Sequence, residues 1–122
     1  MSKKLKITQR KTEWLELSGI GMEYHKKQFQ ETYRSTIAFC KWLDSYKLFE
    51  SKNKLNIADI GAGAGSNLYY MSKRYPSLNF TGIELNKELI NIGNEFFNKN
   101  DVKNCILKYG DLYNFNKNNI NK

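Results

Sequence analysis

The stretch Ile57-Ala58-Asp59-Ile60-Gly61-Ala62-Gly63-Ala64-Gly65 decides how this chain is read. An apolar run carrying one acid passes into three glycines at alternate positions. Leu55 to Ile60 reads as a strand too apolar to be half exposed, and so as a central one. The glycines read as a turn that brings backbone close to a small anionic or nucleotide-like ligand. Glycine accepts positive φ and carries no side chain to block that approach.

Downstream, Ser66 or Asn67 is the expected cap of a helix with Leu68, Met71 and Tyr75 on one side. Lys73 and Arg74 fall in its last turn, where the dipole favours cations, and Pro76 ends it. Asn79 to Leu85 reads as a second strand. Asn86 then caps a helix carrying Leu89, Ile92, Gly93 and Phe96 on one face. Cys105 to Tyr109 reads as a third strand, followed by Gly110-Asp111-Leu112.

Upstream, Glu23 to about Phe49 reads as one leading helix. Phe29, Tyr33, Ile37, Cys40 and Leu43 recur at three- and four-residue spacing, and Tyr24, Trp42 and Tyr46 widen that face. Such a helix is expected to pack on the sheet. The alternative is a lid over substrate, with Tyr24, His25 and Gln28 as its polar contributors.

The alternation predicts an α/β fold, a Rossmann-like parallel sheet built β-α-β-α-β behind a leading helix. The expected organisation is a basic N-terminal arm over 1–22, with Gly19 and Gly21 as breakers, then the helix and connector over 23–52. A cofactor-binding domain over 53–113 and an Asn/Lys-rich tail over 114–122 complete it.

With 122 residues, 40% of them hydrophobic and 14% aromatic, the chain is long and apolar enough for one packed core, and this excludes a disordered binding segment. No apolar run approaches a membrane span, and the basic N-terminus lacks the apolar segment of a secretory signal, so a cytoplasmic protein is expected. Cys40 and Cys105 stand far apart with no partner at ligand spacing and read as reduced thiols. His25 is the only histidine, which leaves no histidine-rich metal site. The net charge of +8 permits an acidic partner without requiring one, because the lysines are scattered and interleaved with asparagine.

Parallel neighbouring strands would bring three features to one edge of the sheet. The first is the Gly61–Gly65 loop, whose N–H groups, with the following helix N-terminus, form an electropositive rim. Glu84, 23 residues after Gly61, sits where a carboxylate can accept from ribose hydroxyls. Asp111 lies just past the third strand, suited to the exocyclic amine of a base. Together they favour a nucleoside-containing ligand. The dinucleotide fingerprint requires Gly or Ala where Ser66 stands, and Asp59 would repel a pyrophosphate. A carboxylate there suits a ligand bearing a cationic amino group.

In combination, Asp59-Ile-Gly-Ala-Gly-Ala-Gly65, Thr81-Gly-Ile-Glu-Leu85 and Tyr109-Gly-Asp-Leu112 resemble the first three motifs of class I S-adenosylmethionine-dependent methyltransferases. The resemblance covers roughly residues 54 to 115. It implies S-adenosyl-L-methionine as cofactor, with Asp59, Gly61, Ala62, Gly63 and Gly65 holding the methionine end. Glu84 would hold the ribose hydroxyls, Leu85 would pack on the adenine, and Asp111, with Leu112 beside it, would contact the adenine amine. The leading helix is where such enzymes often place a cap over cofactor and acceptor.

The chain also departs from that family. Nothing matches a fourth strand, and Pro76 is the only proline, so the Asn/Asp-Pro-Pro-aromatic signature of many DNA and RNA methylating enzymes is absent. In the family's strand order 3-2-1-4-5, the first strand would then be an unpaired apolar edge. The expectation is a truncated product of a longer methyltransferase gene; pairing of that edge with a second subunit, or an independent minimal module, are the alternatives. The expected activity is methyl transfer to a small-molecule or sugar acceptor, with nucleic acid second, and no residue is assigned as catalytic. The alternative function is an inactive fragment or a partner-dependent S-adenosylmethionine-binding module. A nicotinamide dinucleotide is disfavoured by Asp59 and Ser66.

Overall fold

The computed structural model describes residues 19–47, 49 and 54–111. Its elements run α1 (Gly19–Gln28), α2 (Arg34–Ser45), β1 (Asn56–Ile60), α3 (Ser66–Arg74), β2 (Asn79–Glu84), α4 (Lys87–Lys99) and β3 (Cys105–Tyr109). Three parallel strands lie in the order β1-β2-β3. The Rossmann-like expectation therefore holds, and the alternation of strand and helix in the sequence is what carried it. Leu112 and the tail over 114–122 lie outside the described residues, as does the arm up to residue 18.

Register places Ile57, Phe80 and Cys105 side by side, and Asp59, Gly82 and Leu107 likewise. These residues share one face of the sheet because strand side chains alternate. Leu68 from α3 and Phe97 from α4 are buried with Phe80, Cys105 and Leu107 in one apolar cluster. Gly82 sits in the middle of this face: a methyl group there would lie 2.4 Å from Leu107 Cδ2 and 2.7 Å from Ala62 Cβ. The absence of a side chain on β2 thus lets both neighbours close over it.

The outer edge of β3 is covered by a side chain. Asn94 donates from Nδ2 to the Leu107 carbonyl (3.0 Å) and accepts at Oδ1 from the Leu107 N–H (2.9 Å). One amide thereby satisfies both backbone groups of Leu107, which point away from β2. Asn104 ties the start of β3 to the end of α3 and to the turn before β2, donating to the carbonyls of Ser72 and Leu78.

Four corrections to the sequence reading concern helices. The leading helix is two helices, broken over residues 29–33, and Gly19 and Gly21 lie inside the first of them. A glycine costs least in an opening turn, where the N–H groups have no intrahelical partner in any case. The break lets two parts of the apolar stripe reach different places. Phe29 stacks on Phe96 of α4 (centroids 3.9 Å apart), edge-on to Tyr69 and Phe97. Cys40 and Leu43 are buried instead beside α3, where Tyr75 donates to the Cys40 carbonyl and to Asp44 Oδ1. Arg74 also pairs with Asp44 and donates to the Tyr70 hydroxyl, so α2 is pinned to the C-terminal end of α3. The Tyr75 and Arg74 contacts hold the Asp44 carboxyl below its ordinary value.

Tyr24, Trp42 and Tyr46 do not widen the buried face. All three are exposed, and Trp42 stacks with Phe39 and meets Tyr46 edge-on along the outside of α2. Finally, the N-cap of α3 is Gly65 at φ 85°, not Ser66 or Asn67, and no side chain caps it. Asn67 is engaged elsewhere, accepting from the Thr36 hydroxyl at 2.7 Å and so joining α3 to α2. Asn86 caps α4 as expected, its Oδ1 accepting from the N–H groups of Glu88 and Leu89.

Candidate functional site

The C-terminal ends of the three strands open on one edge, and the loop after β1 crosses it. Gly61, Gly63 and Gly65 all have positive φ, at 78°, 62° and 85°. The first and second face open space, with nothing within 4 Å of where a side chain would begin. The third is pressed inward, where a methyl group would meet Phe97 at 2.9 Å and Leu107 at 3.1 Å. The alternate glycines therefore do two jobs: two keep the ligand side clear, and one lets the loop sit on the core.

Four of the loop's own N–H groups are engaged within the protein, which takes them out of the expected electropositive rim. Gly61 and Ala62 donate to the Ile83 carbonyl (2.8 and 3.2 Å), and Gly65 donates to the Ala62 carbonyl (3.1 Å). Gly63 donates to Glu84 Oε1 at 3.0 Å. Four donors that a phosphate nest would point at its anion are spent inside the protein. A pyrophosphate would have to displace the Glu84 carboxylate to reach the Gly63 N–H.

Glu84 is only 6% exposed, and it connects the loop to the next helix. Its Oε2 accepts from the Asn86 N–H at 2.7 Å while Oε1 holds Gly63. An ionised carboxylate offers about four lone-pair sites, so two backbone donors leave room for a pair of ligand hydroxyls. Asp59, half-buried, lies on the same face of the sheet. Burial first, and the charge of Glu84 second, hold its carboxyl above the ordinary aspartate range. Two carboxylates in this corner are thus short of positive charge, the reverse of what an anionic ligand requires.

The third strand end reaches the same place. Gly110 donates to the Glu84 carbonyl at 3.1 Å, which holds Asp111 beside the end of β2. Leu85 is half-buried between Glu84 and the Asn86 cap. Asp59, Gly61, Ala62, Gly63, Gly65, Glu84, Leu85 and Asp111 are therefore gathered along one edge, as parallel pairing of the strands requires.

Glu84 also acts on a residue of α1. His25 is half-buried, and burial lowers its imidazole while the negative charge of Glu84 works in the opposite direction. The sequence missed two further residues that shape the site. Gly93 lets α4 touch the loop, since a methyl group there would lie 2.2 Å from the Ala64 carbonyl oxygen. Gly82 does the same for Ala62, and a glycine inside an apolar strand was the available signal. Both cysteines are buried and free, and burial pushes the Cys105 thiol up to about 12. Among the described residues no cluster of three His, Cys, Asp or Glu could hold a metal ion, and no helix is long and apolar enough to cross a membrane.

Residues 53–122 match a family model described as "Putative methyltransferase". The chain belongs to this methyltransferase family. Its Rossmann-like sheet and the S-adenosyl-L-methionine expectation agree with that membership. One similar curated protein is a tRNA (guanine-N(7)-)-methyltransferase of Oceanobacillus iheyensis, 43% identical over 44 residues. That match takes in 36% of this chain and 20% of the relative, so the chain spans only a fifth of the relative's length. Among solved structures, the plantazolicin methyltransferase BpumL, in complex with a pentazolic desmethylPZN analog and SAH, is 24% identical. It covers 83% of this chain and 38% of its own, with a TM-score of 0.53. Coclaurine N-methyltransferase, bound to N-methylheliamine and SAH, is 18% identical over 66% of this chain and 23% of its own, also at 0.53. Both likenesses are likenesses of fold.

Proposed function

We propose that the strand-end edge binds S-adenosyl-L-methionine and that the chain serves methyl transfer from it. The observation that supports this most directly is the consumption of the glycine-loop donors by Ile83, Ala62 and Glu84. Beside the uncapped N-terminus of α3, the edge presents a pair of carboxylates and cleared space over Gly61 and Gly63, which suits ribose hydroxyls and an amino acid end that carries both charges. When bound, the cofactor supplies a methyl carbon on a sulfonium that a nucleophile displaces in line.

In this reading Glu84 accepts from the ribose hydroxyls, and its two backbone contacts keep its rotamer in place beforehand. Asp59 faces the ammonium of the methionine end and regains the counter-charge that burial denies it. Leu85 offers an apolar surface to the adenine, and Asp111 accepts from its amine. Such a site accelerates transfer chiefly by holding donor and acceptor in line, so no base is assigned.

The acceptor has two candidate classes. A small molecule or sugar is the first of them. A tRNA guanine is supported by a different observation, the 43% identity to a tRNA enzyme, together with the net charge of +8. A tRNA acceptor predicts binding that weakens steeply with added salt, whereas a small neutral acceptor does not.

Isothermal calorimetry tests the cofactor assignment. S-adenosylhomocysteine is expected to bind and NAD to give no heat. Glu84→Gln should weaken S-adenosylhomocysteine by about 1–3 kcal/mol, the value of a lost charged hydrogen-bond acceptor. Absence of heat from folded protein with S-adenosylhomocysteine refutes the assignment.

A further inference from the structure

A cavity of about 440 Å³ lies between α2, α3 and the β1 edge of the sheet. That is an ordinary size for a small-molecule site, and about three times the volume that takes up a benzene ring. Two contacts fix its orientation. Thr36 meets Asn67 where α2 and α3 begin, and Asp44 meets Arg74 where they end, so the helices run side by side in one direction. Asn67 follows the glycine loop by two residues, so the start of both helices is the end nearest the proposed cofactor site. At that end the cavity is lined by Thr36, Asn67 and Asp59. Towards the other it is lined by Leu43, Met71 and Phe49, the last set edge-on against Tyr75 at the end of α3. The cavity is thus an apolar slot whose polar end lies at the glycine-loop corner.

The polar end defines what fits there. Thr36 occupies the Asn67 Oδ1, which leaves that amide its Nδ2 donors. The Asp59 carboxylate has no hydrogen bond or counter-ion among the described residues, and when ionised it only accepts. A head group serving both must hold a lone pair for Asn67 and a proton for Asp59. An ammonium lacks the first and a carboxylate lacks the second, whereas a neutral hydroxyl or amine has both. We propose that the cavity binds a small molecule with an apolar, ring-sized body among Leu43, Met71 and Phe49 and a neutral hydroxyl or amine head between Asn67 and Asp59. Its role rests on the methyl-transfer reading above: the head is the acceptor. The two oxygens of Asp59 let one carboxylate face both the head and the methionine end of the cofactor. On transfer the head oxygen or nitrogen gains the methyl carbon, the carbon–sulfur electron pair stays with the sulfide product, and the head's proton leaves to water. A compact amphipathic molecule is thereby set above a sugar, whose ring of hydroxyls finds no partners along the apolar walls.

The test titrates four probes into the full chain without cofactor, followed by NMR: phenol and aniline, toluene as the body without a head, and benzoate as the same body with an anionic one. Phenol and aniline should shift the Met71 methyl and the Asn67 side-chain amide signals saturably. Toluene should shift Met71 alone and bind about fivefold more weakly, the size of one hydrogen bond, and benzoate should give no saturable shift. Asn67→Asp keeps an acceptor for Thr36 and removes the donor, in a first helical turn that tolerates the added charge. It should weaken phenol about fivefold and leave toluene unchanged. Toluene or benzoate binding the wild-type chain as tightly as phenol, shifts confined to residues outside the cavity, or phenol binding undiminished in Asn67→Asp each overturn the proposal. The wild-type comparison of phenol with toluene decides the head group whether or not the variant folds. S-adenosylhomocysteine should bind the phenol-saturated chain as it binds the chain alone, and mutual exclusion overturns the acceptor role. A chain that takes phenol into the cavity but binds no S-adenosylhomocysteine refutes the cofactor assignment and leaves the cavity assignment standing.

Discussion

Replacing Gly93 by alanine sets two known effects against each other with opposite signs. Gly93 lies inside α4, and in an unconstrained helix interior this change stabilises by about 1 kcal/mol. Here the added methyl group would sit 2.2 Å from the Ala64 carbonyl oxygen, 2.3 Å from Leu107 Cδ1 and 3.0 Å from the Ala64 carbonyl carbon. Leu107 can rotate, but the Ala64 carbonyl is backbone, so α4 and the loop must separate by about 1 Å to reach ordinary contact. Overpacking of this kind costs about 1–3 kcal/mol, and a backbone obstacle belongs at the upper end. The net expectation is a loss of about 1–2 kcal/mol, or a melting temperature lower by roughly 5–15 °C for a domain of this size.

The assay is thermal denaturation followed by circular dichroism, paired with S-adenosylhomocysteine titration. Ala64 sits between two of the loop glycines, so displacing its carbonyl tilts the surface on which the cofactor is proposed to rest. Affinity should therefore fall together with stability. A variant that melts higher than wild type, as helix propensity alone predicts, would show that α4 does not press on the loop.

Two further outcomes follow from the same geometry. Because the folded Asp59 carboxyl is raised above its unfolded value, stability falls as pH rises from the unfolded value through the folded one. Asp59→Asn should consequently raise the melting temperature at pH 7, with the gain vanishing below about pH 4, where the unfolded aspartate is itself protonated. The same variant should bind S-adenosylhomocysteine more weakly, and a variant neutral in both respects refutes the charge assignment. Asn94→Ala should cost about 2–3 kcal/mol in urea denaturation, because it leaves the N–H and carbonyl of Leu107, a residue 2% exposed, without partners. Hydrogen exchange at the Leu107 amide should speed up more than at the amides of β2, and equal protection in both proteins would refute the clamp.

What the sequence revealed and what it hid differ in range. The strand into Gly61, the Asn86 cap and the strand end at Glu84 are local patterns, each contained in a few residues, and the structure keeps them. The break over residues 29–33 contains neither proline nor glycine, and its cause is distant: Phe29 is drawn to α4 while Cys40 and Leu43 are drawn to α3. The same limit applies to Gly93, which looks like a helix weakness until the Ala64 carbonyl is placed against it. Spacing marked the glycine run correctly as a turn that needs positive φ at Gly61, Gly63 and Gly65. The partners of its N–H groups were decided by β2, which no local pattern contains, and they turn the loop from an anion cradle into a scaffold for Glu84.

The Asn94 clamp gives the sheet a direction of growth. On the β3 side, a side chain from α4 imitates at Leu107 the neighbour that another strand would provide. On the β1 side, no strand among the described residues takes the outer row of backbone groups. Among the described residues, β1 is therefore the edge whose backbone groups meet no such side-chain clamp. A strand added there would lie next to Asp59 and the start of the glycine loop, so it would also change the surroundings of the half-buried Asp59 carboxyl.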